Sequence, residues 1–389
     1  MYVIKDSIHG GIRIAEEEKA LIDSSEFQRL RRIRQLAVAY LVYPGANNTR
    51  FEHSLGTMHL TGMICEHLGL EKEENFLRIA ALLHDIGHCA FSHEAERVLD
   101  KTHEEIMKVK IKETEIREIL VENGYSAEDI IKLCMGRGFG SIISFGLGPD
   151  RMDYLLRDSH YTGVAYGIID AERIIETMGF DDDLPYVDIA GLEAAESMLI
   201  ARFMMFSTVY YHHTVRIASS MLRKGIGMAL REGVIDENKL MGSGDEEIMH
   251  EMRMAGFEIV ERLLNRDLYK RAYEISWSRI REKLGVREIK KLEREVVDYS
   301  GCEEEDVVVD VPYGYGDIGK IPVGTGNAKK DIKDVSDIVR SLDKAEEMRM
   351  TLIVATIKDR VDGVRKACEK LFGIKYAEFP YSKERRQRK

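Results

Sequence analysis

From about Glu16 to Gly225 the order of apolar and polar positions reads mainly as helix. Phe27, Leu30, Ile33 and Leu36 show the helical apolar spacing, with charged residues between them. The predicted helices are 24–38, 52–68, 73–83, 104–121, 149–156, 171–178 and 192–223, the first capped by Ser24. Loop chemistry marks 45–49, 136–140 and 145–149. The composition shifts after Leu230. Met241-Gly242-Ser243-Gly244-Asp245 reads as a flexible joint, and a helix follows over 246–264. The β-branched runs 307–311 and 350–356 read as strands, the second followed by a helix over 359–371. The expected architecture is mostly α: a helical core over 1–265 and a smaller α+β C-terminal lobe with a basic tail over 266–389.

Composition narrows the function classes. The 389 residues are 44% hydrophobic and carry a formal net charge of -11. A mean hydropathy of -0.27 fits a globular chain. No apolar run approaches the ~20 residues that span a bilayer, so no membrane role is expected. The N-terminal residues lack the apolar stretch of a secretory signal, and Cys65, Cys89, Cys134, Cys302 and Cys368 are scattered. Both features fit a reducing cytoplasm. The acidic balance counts against a nucleic-acid role. Two basic clusters remain, 29–34 and 383–389, and the exposed face of the first suits a polyphosphate or another subunit. Gly314-Tyr315-Gly316-Asp317-Ile318-Gly319-Lys320 has P-loop spacing, but Ile321 replaces the hydroxyl residue and Pro322 disfavours the helix.

The chemistry centres on His84-Asp85, at the end of the apolar stretch 76–83. An imidazole and a carboxylate side by side are plausible ligands for a divalent metal, and His53 and Asp150 can complete a set of four. Mixed N/O ligation of this kind admits Fe, Mn, Zn, Ni or Co, and Mg is also retained. An adjacent His-Asp pair alone is a weak motif. The surrounding strings, Arg50-Phe51-Glu52-His53-Ser54-Leu55-Gly56 and 83–93, are longer and more specific.

These strings resemble the dNTP triphosphohydrolase branch of the HD-domain metal-dependent phosphohydrolases. Asp6-Ser7-Ile8-His9-Gly10, Thr102-His103-Glu104 and 150–160 extend the resemblance, which runs in order across about the first 220 residues. It implies an HD-domain helical core. It implies hydrolysis of a deoxynucleoside triphosphate to deoxynucleoside and triphosphate, in a homo-oligomer (dimer or tetramer). His53, His84, Asp85 and Asp150 would be the metal ligands. His93 would be the general acid, with His88 and His103 beside it serving the phosphates. Arg50, Arg151 and Arg202 would bind phosphates, and arginine offers a planar fork for that task. Tyr154 would pack on the sugar and Asp158 would accept from its 3′-hydroxyl. Gln35, Leu36 and Tyr210 would lie near sugar and base. Asp23, Gln28 and Arg31 match positions that read an activating nucleotide. Two readings stay open beside this one: a phosphohydrolase for a monophosphate or cyclic nucleotide, and a nucleotide-sensing scaffold with an idle metal site. After Tyr210 the chain continues Tyr211-His212-His213, unlike the usual Gln-His-Lys run, which leaves the base contacts open.

Overall fold

The computed structural model describes residues 2–280, 289–312, 320–326 and 328–376. The glycine-rich stretch 314–319 and the basic tail lie outside the described residues. The fold is mostly α, with a smaller sheet-containing C-terminal part. A hairpin of β1 (Tyr2–Asp6) and β2 (Gly10–Ile14) comes first. Four helices then carry the central chemistry: α1 (Arg50–Leu68), α2 (Glu74–Leu83), α3 (His93–Leu99) and α4 (Pro149–Thr162). A second hairpin, β3 (Met178–Asp181) and β4 (Leu184–Asp188), precedes α5 (Leu192–Met205) and α6 (His213–Arg231). The remaining strands are β5 (Lys270–Ser276), β6 (Val307–Asp310), β7 (Pro322–Gly324), β8 (Lys329–Asp331) and β9 (Thr351–Thr356).

Helices α1, α2 and α4 share one apolar core, which includes Phe51, Leu55, Met58, Leu82 and Leu155. Strand β7 pairs parallel to β4, so Ile321 and Val323 return to this same core from the C-terminal side of residue 265. The other C-terminal sheet runs β5-β9-β6, antiparallel throughout, and Val308, Ile353 and Ala355 from it pack against α6.

A buried ion network ties that sheet to the helices. Asp310, 3% exposed on β6, accepts from Arg216 Nε and Arg223 at 2.6 Å each. Arg223 also donates to Glu94 at the start of α3. Truncating one member of a buried ion cluster strands the charges left behind. Asp310→Ala is therefore expected to cost about 3–5 kcal/mol, measured as a lower urea midpoint.

Several local expectations give way to long-range partners. The helix expected over 24–38 stops at Arg29, turns once through Leu30–Arg32 and becomes extended. The Arg34 N–H donates to Asp245 at 3.0 Å and the Gln35 N–H to the Asn48 carbonyl at 2.9 Å; those bonds replace helical ones. Arg29 does not belong to an exposed basic face. It is 2% exposed and donates to the carbonyls of His88 and Ile86 at 2.7 and 2.8 Å. The expected joint at 241–245 is a fixed point, because the buried Asp245 accepts from the N–H groups of both Arg34 and Phe91. The helix expected over 192–223 is interrupted after the π-helical turn Phe206–Tyr210. Among the described residues, no single helix is long and apolar enough to cross a membrane.

Candidate metal centre and nucleotide cavity

Helix α1 begins with a capping box, in which the Glu52 carboxylate accepts from the Thr49 N–H at 2.6 Å. That start places Arg50 and His53 on the first turn, facing the end of α2. Helix α2 ends at Leu83, and 84–87 form a turn, so His84 and His88 do not share a helical face. Gly87 lets the turn pack closely on the segment that carries His103: a Cβ there would lie 2.0 Å from the His103 carbonyl oxygen. Asp150 comes from the first turn of α4, just after Pro149.

The structure brings His53, His84, Asp85 and Asp150 together. His53 Nε2 lies 3.2 Å from Asp150 Oδ1 and 3.6 Å from Asp85 Oδ2. His84 Nε2 lies 3.4 Å from Asp85 Oδ1 and 3.9 Å from Asp150 Oδ1. Metal bonds of about 2.1 Å put neighbouring ligand atoms roughly 3–3.4 Å apart, close to these separations. Both rings are oriented from behind. His53 Nδ1 donates to Asp153 at 2.8 Å, and His84 Nδ1 meets the Ala81 carbonyl at 2.7 Å. These contacts through Nδ1 leave Nε2 of each ring facing the carboxylates, the orientation in which it could ligate an ion. His84 Nε2 is buried with no hydrogen-bond partner, as a waiting ligand atom would be.

The electrostatics point the same way. Burial disfavours the charged form of His53, yet Asp150 and Asp153 outweigh it and raise its pKa to about 10. A proton thus sits where the three carboxylates favour a cation. The residues fit a divalent ion. Asp85 is engaged on another side as well, because Arg50 donates to its Oδ2 at 2.7 Å.

A second cluster adjoins the first. Glu96, one helical turn after His93, lies 2.9 Å from His93 Nδ1 and 3.1 Å from both His103 Nδ1 and His88 Nδ1. The His88 and His103 rings stack with centroids 4.3 Å apart. Burial, with the Arg50 charge, pushes His88 down to about 3, so it is neutral at pH 7. His103 is raised by Glu96 against the opposing effect of burial. Sequence reading missed Glu96; its i, i+3 relation to His93 was the available signal. Before α3, Phe91 and Ser92 adopt φ of 63° and 54°, a backbone that non-glycine residues rarely hold. The Phe91 N–H bond to Asp245 and the Arg50 Nε bond to Ser92 Oγ at 3.0 Å keep them there.

Beside both clusters opens a cavity of about 350 Å³. Gln35, Leu36, Arg50, His93, Tyr154, Asp158 and Tyr210 are among the residues that line it. The Asp158 carboxylate accepts from Tyr210 Oη at 2.8 Å and Asn48 Nδ2 at 2.9 Å. Burial raises its pKa to about 6. Arg151 and Arg202 stand outside the lining. Arg151 reaches the Gly146 carbonyl at 3.3 Å, and Arg202 lies over the Phe206 ring at 5.1 Å. Tyr211, where the sequence departs from its resemblance, lines the cavity too. Asp23, Gln28 and Arg31 are elsewhere. Asp23 pairs with Lys19 at 2.6 Å, and Arg31 Nε donates to Gln28 at 2.8 Å.

Comparison with known proteins bears on this centre. The HD domain matches residues 50–160, the stretch that holds all four candidate ligands, and the HD associated region matches 169–381. This chain belongs to the HD-domain phosphohydrolases. A protein of Methanocaldococcus jannaschii is 37% identical to this HD-domain chain, over 94% of it and 81% of the relative. A deoxynucleoside triphosphate triphosphohydrolase SAMHD1 homolog of Dictyostelium discoideum is 27% identical, over 70% of this chain and 60% of its own length. The crystal structure of an Aquifex aeolicus protein superposes with a TM-score of 0.77 at 32% identity, covering 94% of this chain and 99% of that one. A phosphohydrolase from Bacteroides thetaiotaomicron shares the fold at a TM-score of 0.76 and 24% identity, over 92% of this chain and 100% of its own.

Proposed function

We propose that this HD-domain phosphohydrolase cleaves deoxynucleoside triphosphates to deoxynucleoside and intact triphosphate. The observation that carries the reading is one cavity lined by Arg50, His93, Tyr154, Asp158 and Tyr210, beside the group His53, His84 and Asp150 with Asp85 next to it. The name of the Dictyostelium relative supports it. A divalent ion held by His53, His84, Asp85 and Asp150 would supply charge stabilisation at the phosphoryl oxygens and acidify a bound water. Arg50 lines the cavity and offers a phosphate the part of its guanidinium that Asp85 and Ser92 do not engage, and Arg151 and Arg202 add positive charge from behind the lining. His93, held through Nδ1 by Glu96, delivers the proton that the departing 5′-oxygen needs. Tyr154 packs on the sugar and excludes a 2′-hydroxyl by bulk. Asp158 accepts from the 3′-hydroxyl, and Gln35, Leu36 and Tyr210 enclose sugar and base. An activating nucleotide at Asp23, Gln28 and Arg31, within a homo-oligomer, belongs to the same proposal.

Metal-reconstituted protein incubated with dNTPs, NTPs and monophosphates, with products separated by chromatography, tests the reading. Deoxynucleoside plus triphosphate is the expected result; orthophosphate or pyrophosphate refutes it. A pH effect follows from Asp158. With its pKa at about 6 in the free protein, it is a carboxylate above that pH and a neutral acid below. A charged acceptor holds a hydroxyl more strongly than a neutral one. The kcat/KM for a dNTP should therefore fall faster below pH ~6 in the native protein than in Asp158→Asn. Parallel acid limbs would remove Asp158 from sugar binding.

A further inference from the structure

The strings Asp6-Ser7-Ile8-His9-Gly10 and His53-Ser54-Leu55-Gly56 are far apart in sequence and meet at one buried carboxylate. Asp153, fully buried on α4, has both oxygens occupied. Oδ2 accepts from His53 Nδ1 at 2.8 Å and Arg157 Nε at 3.0 Å. Oδ1 accepts from His9 Nε2 at 2.7 Å and Arg157 Nη2 at 2.9 Å. Four donors fill the acceptor capacity of one carboxylate. Arg157 is itself held from the hairpin, donating to Asp6 Oδ2 at 2.9 Å and Oδ1 at 3.3 Å. Asp6 Oδ1 also accepts from the N–H groups of Ile8 and His9, both at 2.9 Å, which shapes the turn that presents His9.

Gly56 makes the meeting possible. It lies one turn after His53 on α1, where that helix crosses α4. A Cβ at residue 56 would fall 1.8 Å from Asp153 Oδ1 and 2.7 Å from Arg157 Nη2. Any side chain there would drive Asp153 away from His53.

We infer that the β1–β2 hairpin is a working part of the metal centre: Asp6 and His9 fix Asp153, and Asp153 fixes His53 with Nε2 toward the ion. The inference rests on the ligand assignment above. Asp153, His9 and Gly56 are positioning residues; none of them is a ligand. Carboxylate partners of ligating histidines typically contribute 10–100-fold to metal affinity. His9 acts one bond further out, so its share lies at the lower end.

The test reads metal binding rather than turnover. Chelator-stripped full-length protein is titrated with Co(II) and followed by calorimetry, with circular dichroism confirming that each variant is folded. His9→Leu should weaken Co(II) binding about tenfold. His9→Gln, which keeps a side-chain N–H, should recover most of that loss. Gly56→Ala should weaken binding at least as much as His9→Leu without changing any charge. Asp150→Ala is the control. If Asp150→Ala still binds Co(II) like the native protein, the ligand assignment itself fails. If Asp150→Ala loses Co(II) while folded His9→Leu and Gly56→Ala bind it normally, the hairpin inference alone is overturned.

Discussion

Asp85→Ala is expected to lower turnover by about 10³-fold or more and to leave the protein without its ion. Several kcal/mol of transition-state stabilisation belong to a catalytic metal, and each 1.36 kcal/mol is a factor of ten in rate. Asp85 faces the two histidines with different oxygens: Oδ2 lies 3.6 Å from His53 Nε2 and Oδ1 3.4 Å from His84 Nε2. The same substitution removes the 2.7 Å partner of Arg50, so a loss of folding could imitate a loss of metal. Asp85→Asn separates the two. Its amide oxygen can still accept from Arg50, but it no longer brings an anionic ligand. Elemental analysis should find both variants depleted of metal, with Asp85→Asn melting near the native temperature. A folded Asp85→Asn protein with full metal content and native activity would remove Asp85 from the ligand set.

The residues that sequence reading singled out at this centre share one property: they are chemically unusual for their place. His84 and Asp85 are polar at the end of an apolar helix, and His53 and Arg50 open another helix after loop chemistry. The structure brings these four and Asp150 into one neighbourhood. What stayed hidden depends on contacts across long separations in the chain. Nothing local marks Asp153 among the polar residues of α4; its partner His9 lies 144 positions earlier. Asp245 looked like loop chemistry, yet it fixes Phe91, 154 positions away, at the entrance to α3. The helix expected over 24–38 stopped short for the same reason. The apolar period through 27–36 was read correctly as burial, but Asn48 and Asp245 offer the backbone at 34 and 35 better partners than another helical turn. Local propensity is a weak prior against such bonds. The hairpin β1–β2 had no strand reading at all, although its turn carries His9.

Glu96→Gln carries the second large expectation: a fall of about 10²–10⁴-fold in kcat on a dNTP, comparable to His93→Ala. The carboxylate is the common neighbour of three imidazoles, and they hold it ionised well below the usual range against the cost of burial. It accepts from His93 Nδ1 at 2.9 Å, which fixes the ring and leaves Nε2 free to face a leaving oxygen. Glutamine keeps the shape but offers one acceptor instead of two and no charge to balance an imidazolium. An alkoxide such as the 5′-oxygen is a poor leaving group and needs a proton, whereas a nitrophenolate departs without one. Glu96→Gln and His93→Ala should therefore be far less impaired on a nitrophenyl phosphodiester than on a dNTP. Asp85→Ala should be impaired on both, because the metal serves either substrate. Equal losses on the two substrates for Glu96→Gln would mean that Glu96 shapes the site without assisting proton delivery.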